Sequence, residues 1–287
     1  MTAPRADATP TEGERWASAE LTSLRLSRYG LPAWVRFLAA SFRRAAATRR
    51  ARRPLARQAV RWSAASAITT SVLRRTVACR AGRPLSTRGL AAWWLALVLM
   101  LDWHLGMVEG IDGQPREKLS LADALTLSRA AAAPFAASAP PDTPLYLTLL
   151  AFAGVTDLLD GRLARRRGPT RFGRDFDALA DLAFREAALR GARRAGWLSP
   201  GPIRVLAARQ TLLVCGSAWS WFGHAQRPPL DETRLARWDA PPLIAGLALA
   251  ALGRRRAGAI LITVAAIVGG AALLRTTRAR PTPVASR

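Results

Sequence analysis

Several residue types are scarce in this chain of 287 residues, and their scarcity excludes common kinds of site. Only two cysteines occur, Cys79 and Cys215, and no CxxC pair or Cys/His cluster accompanies them. Neither a zinc site nor a disulfide framework is therefore predicted. The two histidines are equally isolated, so we expect them to pack rather than to bind a ligand. Lysine occurs once, at Lys118, which leaves the basic character of the chain to arginine.

Acidic residues are also scarce, with 19 against 43 basic residues and a formal net charge of +24. Residues 21–88 contain sixteen arginines and no acid, and apolar residues such as Trp34 and Phe42 interleave with them. This pattern fits a basic amphipathic helix on an anionic membrane face. It fits a solvated basic tail equally well. Nucleic-acid binding is disfavoured, because nothing in the segment resembles a base-reading module.

The N-terminal residues 1–20 are polar and contain Pro4, Pro10 and Gly13 without a hydrophobic period. We expect them to be disordered. They do not resemble a signal peptide, which would begin with a short basic region followed by an apolar core. Any entry into a membrane is therefore expected through internal segments.

Apolar residues make up half of the chain despite its charge, and they are grouped into long segments. Crossing the hydrocarbon of a bilayer takes about 20 helical residues. We predict an all-α, polytopic membrane protein with a six-helix transmembrane core at 119–275, preceded by a basic helical extension at 21–118. A further apolar helix at 89–108 is expected to be packed or half-inserted. The six core segments are 121–139, 144–156, 178–189, 202–222, 240–252 and 257–274.

The distribution of arginine between these segments indicates an orientation. Six arginines lie between residues 162 and 174, and the tail at 276–287 is also basic, so both are expected in the cytoplasm. The connection at 140–143 has no basic residue and suits the outside. The loops at 190–194 and 254–256 are basic and disagree with a simple alternating count. The prediction is a multi-pass protein of the cell membrane.

Four aspartates with a fixed spacing lie beside these apolar segments: Asp157, Asp160, Asp177 and Asp181. Residues three or four apart share a helix face, so each pair is expected to line one side of its helix. Carboxylates near hydrocarbon are costly and would repel one another without cations. Oxygen ligands of this kind suit Mg²⁺ or Mn²⁺, and we expect two ions. Asp142 and Asp175 are expected to be ordinary caps or surface ion pairs.

The aspartates belong to a longer pattern that resembles the signature of the CDP-alcohol phosphatidyltransferase family. Upstream, Thr126 and Arg129 before Pro134 are similar to the family's first core helix, with Asp123 where asparagine is usual. The resemblance implies a membrane enzyme with six core helices that transfers a substituted phosphate group from a CDP-linked donor to an alcohol and releases CMP. All eight positions of the signature occur in order: Asp157, Asp160, Gly161, Ala164, Arg165, Gly173, Asp177 and Asp181.

The resemblance also implies roles for single residues. Metal binding falls to Asp157, Asp160, Asp177 and Asp181, and Asp181 is in addition the candidate general base. A nucleotide pocket falls to Gly161, Ala164 and Gly173, with Arg165 at the diphosphate. The implied donor is CDP-diacylglycerol or another CDP-alcohol, the acceptor is a small alcohol or alcohol phosphate, and homodimers are common in the family.

Some features depart from the family pattern and keep alternatives open. Arg185 and Glu186 follow Asp181 where apolar residues are usual, and Arg185 is spaced to pair with Asp181. Acceptor binding is open, with Arg204, Arg209, Arg234 and Arg237 as candidates. One alternative function is a non-catalytic membrane protein that keeps the family fold and binds lipids or partners. Another is a nucleic-acid-associated protein, which would have to be soluble without detergent.

Overall fold

The computed structural model describes residues 11–81, 85–110, 112–139, 142–224 and 239–278, without the side chains of Ala81, Arg167 and residues 272–278. The chain divides into two compact units, residues 1–188 and 189–287. Within the described residues the regular structure is helical, apart from two isolated bridges. These described ranges contain the α-helices α1 Glu12–Leu26, α2 Leu31–Ala51, α3 Arg53–Ala81, α4 Thr87–Trp103, α5 Leu121–Ala136, α6 Thr143–Arg167, α7 Arg171–Arg194, α8 Pro200–Ala218, α9 Ala240–Ala251 and α10 Arg255–Arg278.

The all-α class predicted from the sequence is confirmed, and a helix lies at each of the six apolar segments of the predicted core. The 89–108 segment forms α4 and a short 3₁₀ turn at Leu105–Met107. Among the described ranges, however, no helix combines the length and the apolar composition that crossing a membrane requires.

The N-terminal segment differs from the expectation of disorder, because residues 12–20 belong to α1. Thr11 caps the helix by accepting from the N–H of Glu14 at 3.2 Å, and the Glu14 carboxylate accepts from the N–H of Thr11 at 3.0 Å. This reciprocal capping box satisfies two main-chain donors that would otherwise lack partners. Residues 1–10 lie outside the described part of the chain.

The basic extension packs against the helices that follow it. Leu97 and Leu101 of α4 share a buried cluster with Leu127 of α5 and Phe176 of α7. The indole Nε1 of Trp93 donates to the carbonyl of Ala130 at 3.0 Å. Leu55 of α3 belongs to the same cluster, so both α3 and α4 form part of the core beside α5 and α7. Burial of this apolar surface stabilises the first unit.

Helices α5, α6 and α7 carry the signature region. α6 ends at Gly168, whose φ of 80° is a left-handed conformation that glycine adopts without strain. The chain then turns at once into α7. The hydroxyl of Tyr146, fully buried on α6, donates to the carbonyl of Ala188 on α7 at 2.9 Å. The two helices are thereby joined far from the turn that connects them.

The second unit contains α8, α9 and α10. α9 and α10 approach closely, because a Cβ on Gly246 would lie 2.9 Å from the carbonyl oxygen of Gly258. Arg209 on α8 lies over Gly269 and pairs with Asp239 at 2.6 Å. Arg234, Arg237 and the predicted tail beyond residue 278 lie outside the described residues.

Candidate active site

The four spaced aspartates lie on two consecutive helices and meet at one place. Asp157 and Asp160 are near the end of α6, whereas Asp177 and Asp181 are in the first half of α7. The three-residue and four-residue spacings keep each pair on one helix face. The turn at Gly168 brings the two faces together. The convergence expected from the spacing is present in the structure.

Arg129 of α5 is the residue on which the aspartates converge. Its Nη1 donates to Asp157 at 3.1 Å, and its Nη2 donates to Asp160 at 2.8 Å and also to Asp177. Its Nε lies 3.0 Å from Asp181 Oδ1 but makes no hydrogen bond of acceptable geometry among the described residues. One guanidinium therefore neutralises part of the charge of four carboxylates. We call Arg129 and these four aspartates the aspartate cage.

Burial differs within the aspartate cage. The side chain of Arg129 is 2% exposed and that of Asp160 is 7% exposed, whereas Asp157 and Asp177 retain 46% and 40%. The cage is thus closed on the side of Arg129 and open on the side of Asp157 and Asp177. A ligand can reach the carboxylates from that open side.

The electrostatics of the aspartate cage penalise a full set of negative charges. Burial raises the pKa of Asp160, and the Arg129 guanidinium counters this effect. Burial also raises the pKa of Asp177 to about 7, with a further contribution from the negative charge of Asp181. Both shifts have the cause expected for carboxylates that lack enough positive charge nearby. A cation bound among them would favour the ionised forms.

The donor set suits a hard divalent cation. Oxygen atoms of Asp157, Asp160 and Asp177 all lie within 4.8 Å of one another. Carboxylate oxygens are the ligands that Mg²⁺ and Mn²⁺ prefer. Asp181 lies outside this close group but remains beside Arg129. The residues present therefore fit the kind of metal ion expected from the sequence.

Three small residues and one arginine complete the signature. Gly161 is next to Asp160, and a Cβ on it would lie 3.2 Å from Arg165 Nη1, so the Arg165 side chain folds back over Gly161. Ala164 is partly buried and Arg165 is exposed. Gly173 is required by packing, because a Cβ there would lie 2.6 Å from Asp123 Oδ1.

A polar clamp joins the beginning of α5 to the beginning of α7. Thr170 Oγ1 donates to Asp123 Oδ1 at 2.6 Å and accepts from the N–H of Gly173 at 2.8 Å. Asp123 Oδ2 accepts from the N–H of Ser120 at 2.8 Å, which caps α5. Asp123 is 1% exposed. The helices that carry Arg129 and Asp177 are therefore fixed to each other at their N-terminal turns.

Other residues singled out from the sequence have ordinary partners or lie elsewhere. Arg185 pairs with Asp181 at 3.3 Å, as its spacing predicts. Asp142 caps α6 and pairs with Arg80, and Asp175 pairs with its neighbour Arg174. In the second unit, Arg204 is exposed, while Arg209 is engaged by Asp239.

Sequence reasoning did not assign a role to Arg129, although it noted the residue in the upstream pattern. The available signal was its spacing from Thr126, because residues three apart share a helix face. Thr126 Oγ1 donates to Asp160 at 3.3 Å, and Arg129 contacts the same carboxylate.

Comparison with known proteins agrees with this geometry. The chain is 42% identical over 78 residues to a protein of Drosophila melanogaster named probable cardiolipin synthase (CMP-forming). That match covers 26% of this chain and 24% of the relative, so the chain spans about a quarter of the relative's length. No solved structure matches the chain. The sequence model of the family described as CDP-alcohol phosphatidyltransferase matches residues 119–274, which is more than half of the chain and contains the aspartate cage. The chain therefore belongs to the CDP-alcohol phosphatidyltransferase family.

Proposed function

We propose that this chain is an enzyme that transfers a substituted phosphate group from a CDP-linked donor to an alcohol, with release of CMP. The observation that carries the proposal is the convergence of Asp157, Asp160, Asp177 and Asp181 on one point. Membership of the family supports the reaction class. The complete eight-position signature supports it independently of the fold.

Within this proposal, the four aspartates hold two divalent ions, Mg²⁺ or Mn²⁺. Asp157, Asp160 and Asp177 offer oxygen atoms within 4.8 Å of one another, and Asp181 extends the set on the side of Arg129. Such ions neutralise phosphate oxygens and so lower the barrier to displacement at phosphorus. The chain's part is to hold the carboxylates in place, through Arg129 and through the clamp between Asp123 and Thr170.

Asp181 is the proposed general base. Its carboxylate lies between Arg129 at 3.0 Å and Arg185 at 3.3 Å, so its orientation is restrained from both sides. It would accept the proton of the acceptor hydroxyl as that oxygen attacks the phosphorus atom. The bond from phosphorus to the CMP oxygen then breaks, and CMP leaves with the electron pair of that bond.

The nucleotide end of the donor is proposed to bind beside Gly161, Ala164 and Gly173, with Arg165 at the diphosphate. Arg165 folds over Gly161, so its guanidinium lies beside the residue that follows Asp160 in the chain. Guanidinium groups pair well with phosphate oxygens. CDP-diacylglycerol is the proposed donor, because the Drosophila relative is named a CMP-forming cardiolipin synthase. The proposed acceptor is a small alcohol or alcohol phosphate.

We place the enzyme in the cell membrane as a multi-pass protein with the aspartate cage facing the cytoplasm. A donor with acyl chains and a polar acceptor must reach the same site, which is satisfied where water meets lipid. The six apolar segments and the arginines at 162–174 support this placement. A homodimer is also proposed, because homodimers are common in the family.

The test is release of CMP by the purified chain supplied with CDP-diacylglycerol, Mn²⁺ and a panel of alcohols and alcohol phosphates. Asp177→Asn and Asp181→Asn are expected to abolish release. Asp175→Asn is the matched control, because it removes a charge from the same turn of α7 at a residue that pairs with Arg174 outside the aspartate cage. Activity retained by both Asp177→Asn and Asp181→Asn would rule out the proposed site. Identification of the lipid product names the acceptor.

One observation favours a second candidate function. Arg129 already contacts all four aspartates, and a purely structural ion-pair cluster would make the same contacts. In that case the chain is a non-catalytic member of the family that binds lipids or partners. Thermal unfolding discriminates the two: an enzyme is protected by Mn²⁺ together with CDP, whereas a structural cluster gains nothing from either.

A further inference from the structure

The loop before α7 is held by a buried charged cluster that reaches into the N-terminal part of the chain. The N–H of Arg171 donates to the carbonyl of Glu109 at 2.9 Å, and Gly110 pairs with Thr170 as an isolated antiparallel bridge. Arg171 Nη1 donates to Glu109 Oε1 at 2.9 Å and to Thr11 Oγ1 at 2.6 Å. Three segments distant in sequence therefore meet at Arg171.

This contact is buried, which makes it unusual for a charged pair. Arg171 and Glu109 are each 6% exposed, and Thr11 is 9% exposed. Removing such charges from water is costly, and their attraction offsets the cost only in good geometry. The next residue, Phe172, is 1% exposed and belongs to the main apolar cluster of the first unit. The cluster thus constrains where α7 begins more than it adds to stability.

The first turn of α1 contacts the side chain of Arg171, the first residue of α7. A Cβ on Gly13 would lie 2.8 Å from Arg171 Nη1, so the guanidinium packs closely against this turn. Farther along each helix, Glu14 lies 3.4 Å from Arg174. The helix that the sequence suggested was disordered is therefore packed against the element that carries Asp177 and Asp181.

The position of α7 determines where its aspartates point. Thr170, which precedes Arg171, donates to Asp123 and thereby fixes the start of α7 to the start of α5. A helix turns by about 100° per residue, because it has 3.6 residues per turn. A shift of α7 by one residue would therefore turn Asp177 and Asp181 away from Arg129.

We propose that Arg171 is a positioning residue through which residues 11–118, called the N-terminal extension from here on, set the register of α7 by way of Glu109 and Thr11 and hence the metal affinity of the aspartate cage. The proposal rests on the proposed function for the identity of the cage as a metal site. It assigns the extension a structural part in catalysis, beyond the segment that matches the family.

The experiment measures binding of Mn²⁺ to the full-length purified chain by electron paramagnetic resonance, together with CMP release. Arg171→Gln is expected to weaken Mn²⁺ binding and to lower kcat, each by about tenfold or more, as for other residues that orient metal ligands. The KM for the CDP-linked donor should change little. Arg171→Lys keeps the charge beside Glu109 and should restore most of the lost Mn²⁺ affinity.

Arg44→Gln is the matched control for the packing of α1. It removes an arginine that pairs with Glu12 and lies over the Trp16 ring, and so loosens α1 from α2, but it leaves the hydrogen bonds of Arg171 to Glu109 and Thr11 in place. This variant should bind Mn²⁺ as the wild type does. Circular dichroism checks that every variant retains its helix content. If Arg171→Gln does not fold, Glu109→Gln takes its place with the same criteria, because it leaves the contact between Arg171 and Thr11.

A folded Arg171→Gln variant with wild-type Mn²⁺ affinity and kcat would overturn the inference. An equal loss of Mn²⁺ affinity in Arg44→Gln would overturn it too, since the effect would then come from general loosening of α1. Failure of the proposed function has a different signature. A wild-type chain that binds Mn²⁺, loses it in Arg171→Gln and yet releases no CMP would leave the positioning role intact.

Discussion

The extension at residues 11–118 and the signature-bearing region at 119–188 use charge in opposite ways. In the extension, arginines such as Arg44 and Arg80 are partly exposed and pair singly with acids. In the signature region, four acids surround one buried arginine, Arg129. Exposed pairs contribute little to stability, whereas buried ones are strongly destabilising when broken. Substitution should therefore be tolerated at the exposed ion pairs of the extension and not at Arg129.

The largest loss of stability is expected from Arg129→Gln, which tests the difference between the two regions. The change leaves four carboxylates without their common counter-charge. The free energy of unfolding in the presence of EDTA should fall by about 3 kcal/mol, the lower end for a broken buried pair, because Asp157 and Asp177 remain partly exposed. Denaturant titration in detergent measures the change. Arg185→Gln is the control, because Arg185 pairs with Asp181, whereas Arg129 contacts all four aspartates. Equal effects of both variants would mean that Arg129 is not the centre of the cage.

A second, smaller effect is expected where the two N-terminal turns of the signature helices touch. Gly173→Ala would place a Cβ 2.6 Å from Asp123 Oδ1 and should lower the free energy of unfolding by about 2 kcal/mol. Gly154→Ala in α6 meets no atom within 4 Å and should instead stabilise the chain by about 0.5 kcal/mol. The same denaturant titration compares them. If both variants raised or both lowered the free energy of unfolding, the close packing of Gly173 against Asp123 would be contradicted.

A third and still smaller loss of stability is expected when the hydrogen bond between α6 and α7 is removed. Tyr146→Phe keeps the ring and removes the hydroxyl that donates to the carbonyl of Ala188 at 2.9 Å. The buried carbonyl then loses this donor, so a loss of about 1 kcal/mol is expected. Hydrogen exchange around residue 192, near the end of α7, should become faster. Unchanged exchange there would show that the bond does not hold the two helices together.

The smallest effect on stability is expected on the exposed face of α2. Leu31, Val35 and Leu38 are exposed on one stripe of this helix, and Arg36 and Arg43 lie exposed on the flank beside it. An apolar stripe with flanking arginines fits an anionic bilayer surface. Leu31→Asp/Val35→Asp should leave the free energy of unfolding nearly unchanged.

The lipid dependence of hydrogen exchange checks the role of this face. Amides of α2 should exchange more slowly in phosphatidylglycerol nanodiscs than in phosphatidylcholine nanodiscs, and the double variant should lose the difference. Identical exchange of the wild type in both lipids would favour the solvated basic tail that the sequence left open.

Features that depend on local sequence patterns could be predicted, whereas contacts between distant segments could not. Apolar runs located the helices of the 119–275 region, because hydrophobic grouping is a local signal. The spacing of Asp157 to Asp181 predicted the two acidic faces for the same reason. The helix at 12–26 was missed although Thr11 and Glu14 form a capping-box pattern that is visible in the sequence. The polar, proline-containing composition of residues 1–20 led to the expectation of disorder despite this pattern.

Contacts between distant segments were beyond sequence reasoning. The pairing of Gly110 with Thr170 and the burial of Arg171 with Glu109 depend on how α3 and α4 pack beside α5 and α7. No local sequence pattern predicts these contacts between distant segments. Arg129 lay in a recognised stretch, but its central position follows only from the relative placement of α5, α6 and α7.

The most direct measurement is a crystal structure of the chain soaked with Mn²⁺, with the ions located by their anomalous scattering. The account predicts anomalous density bounded by carboxylate oxygens of Asp157, Asp160 and Asp177, with Asp181 beside it. Strong density elsewhere and none among these carboxylates, or side chains that point apart, would contradict it.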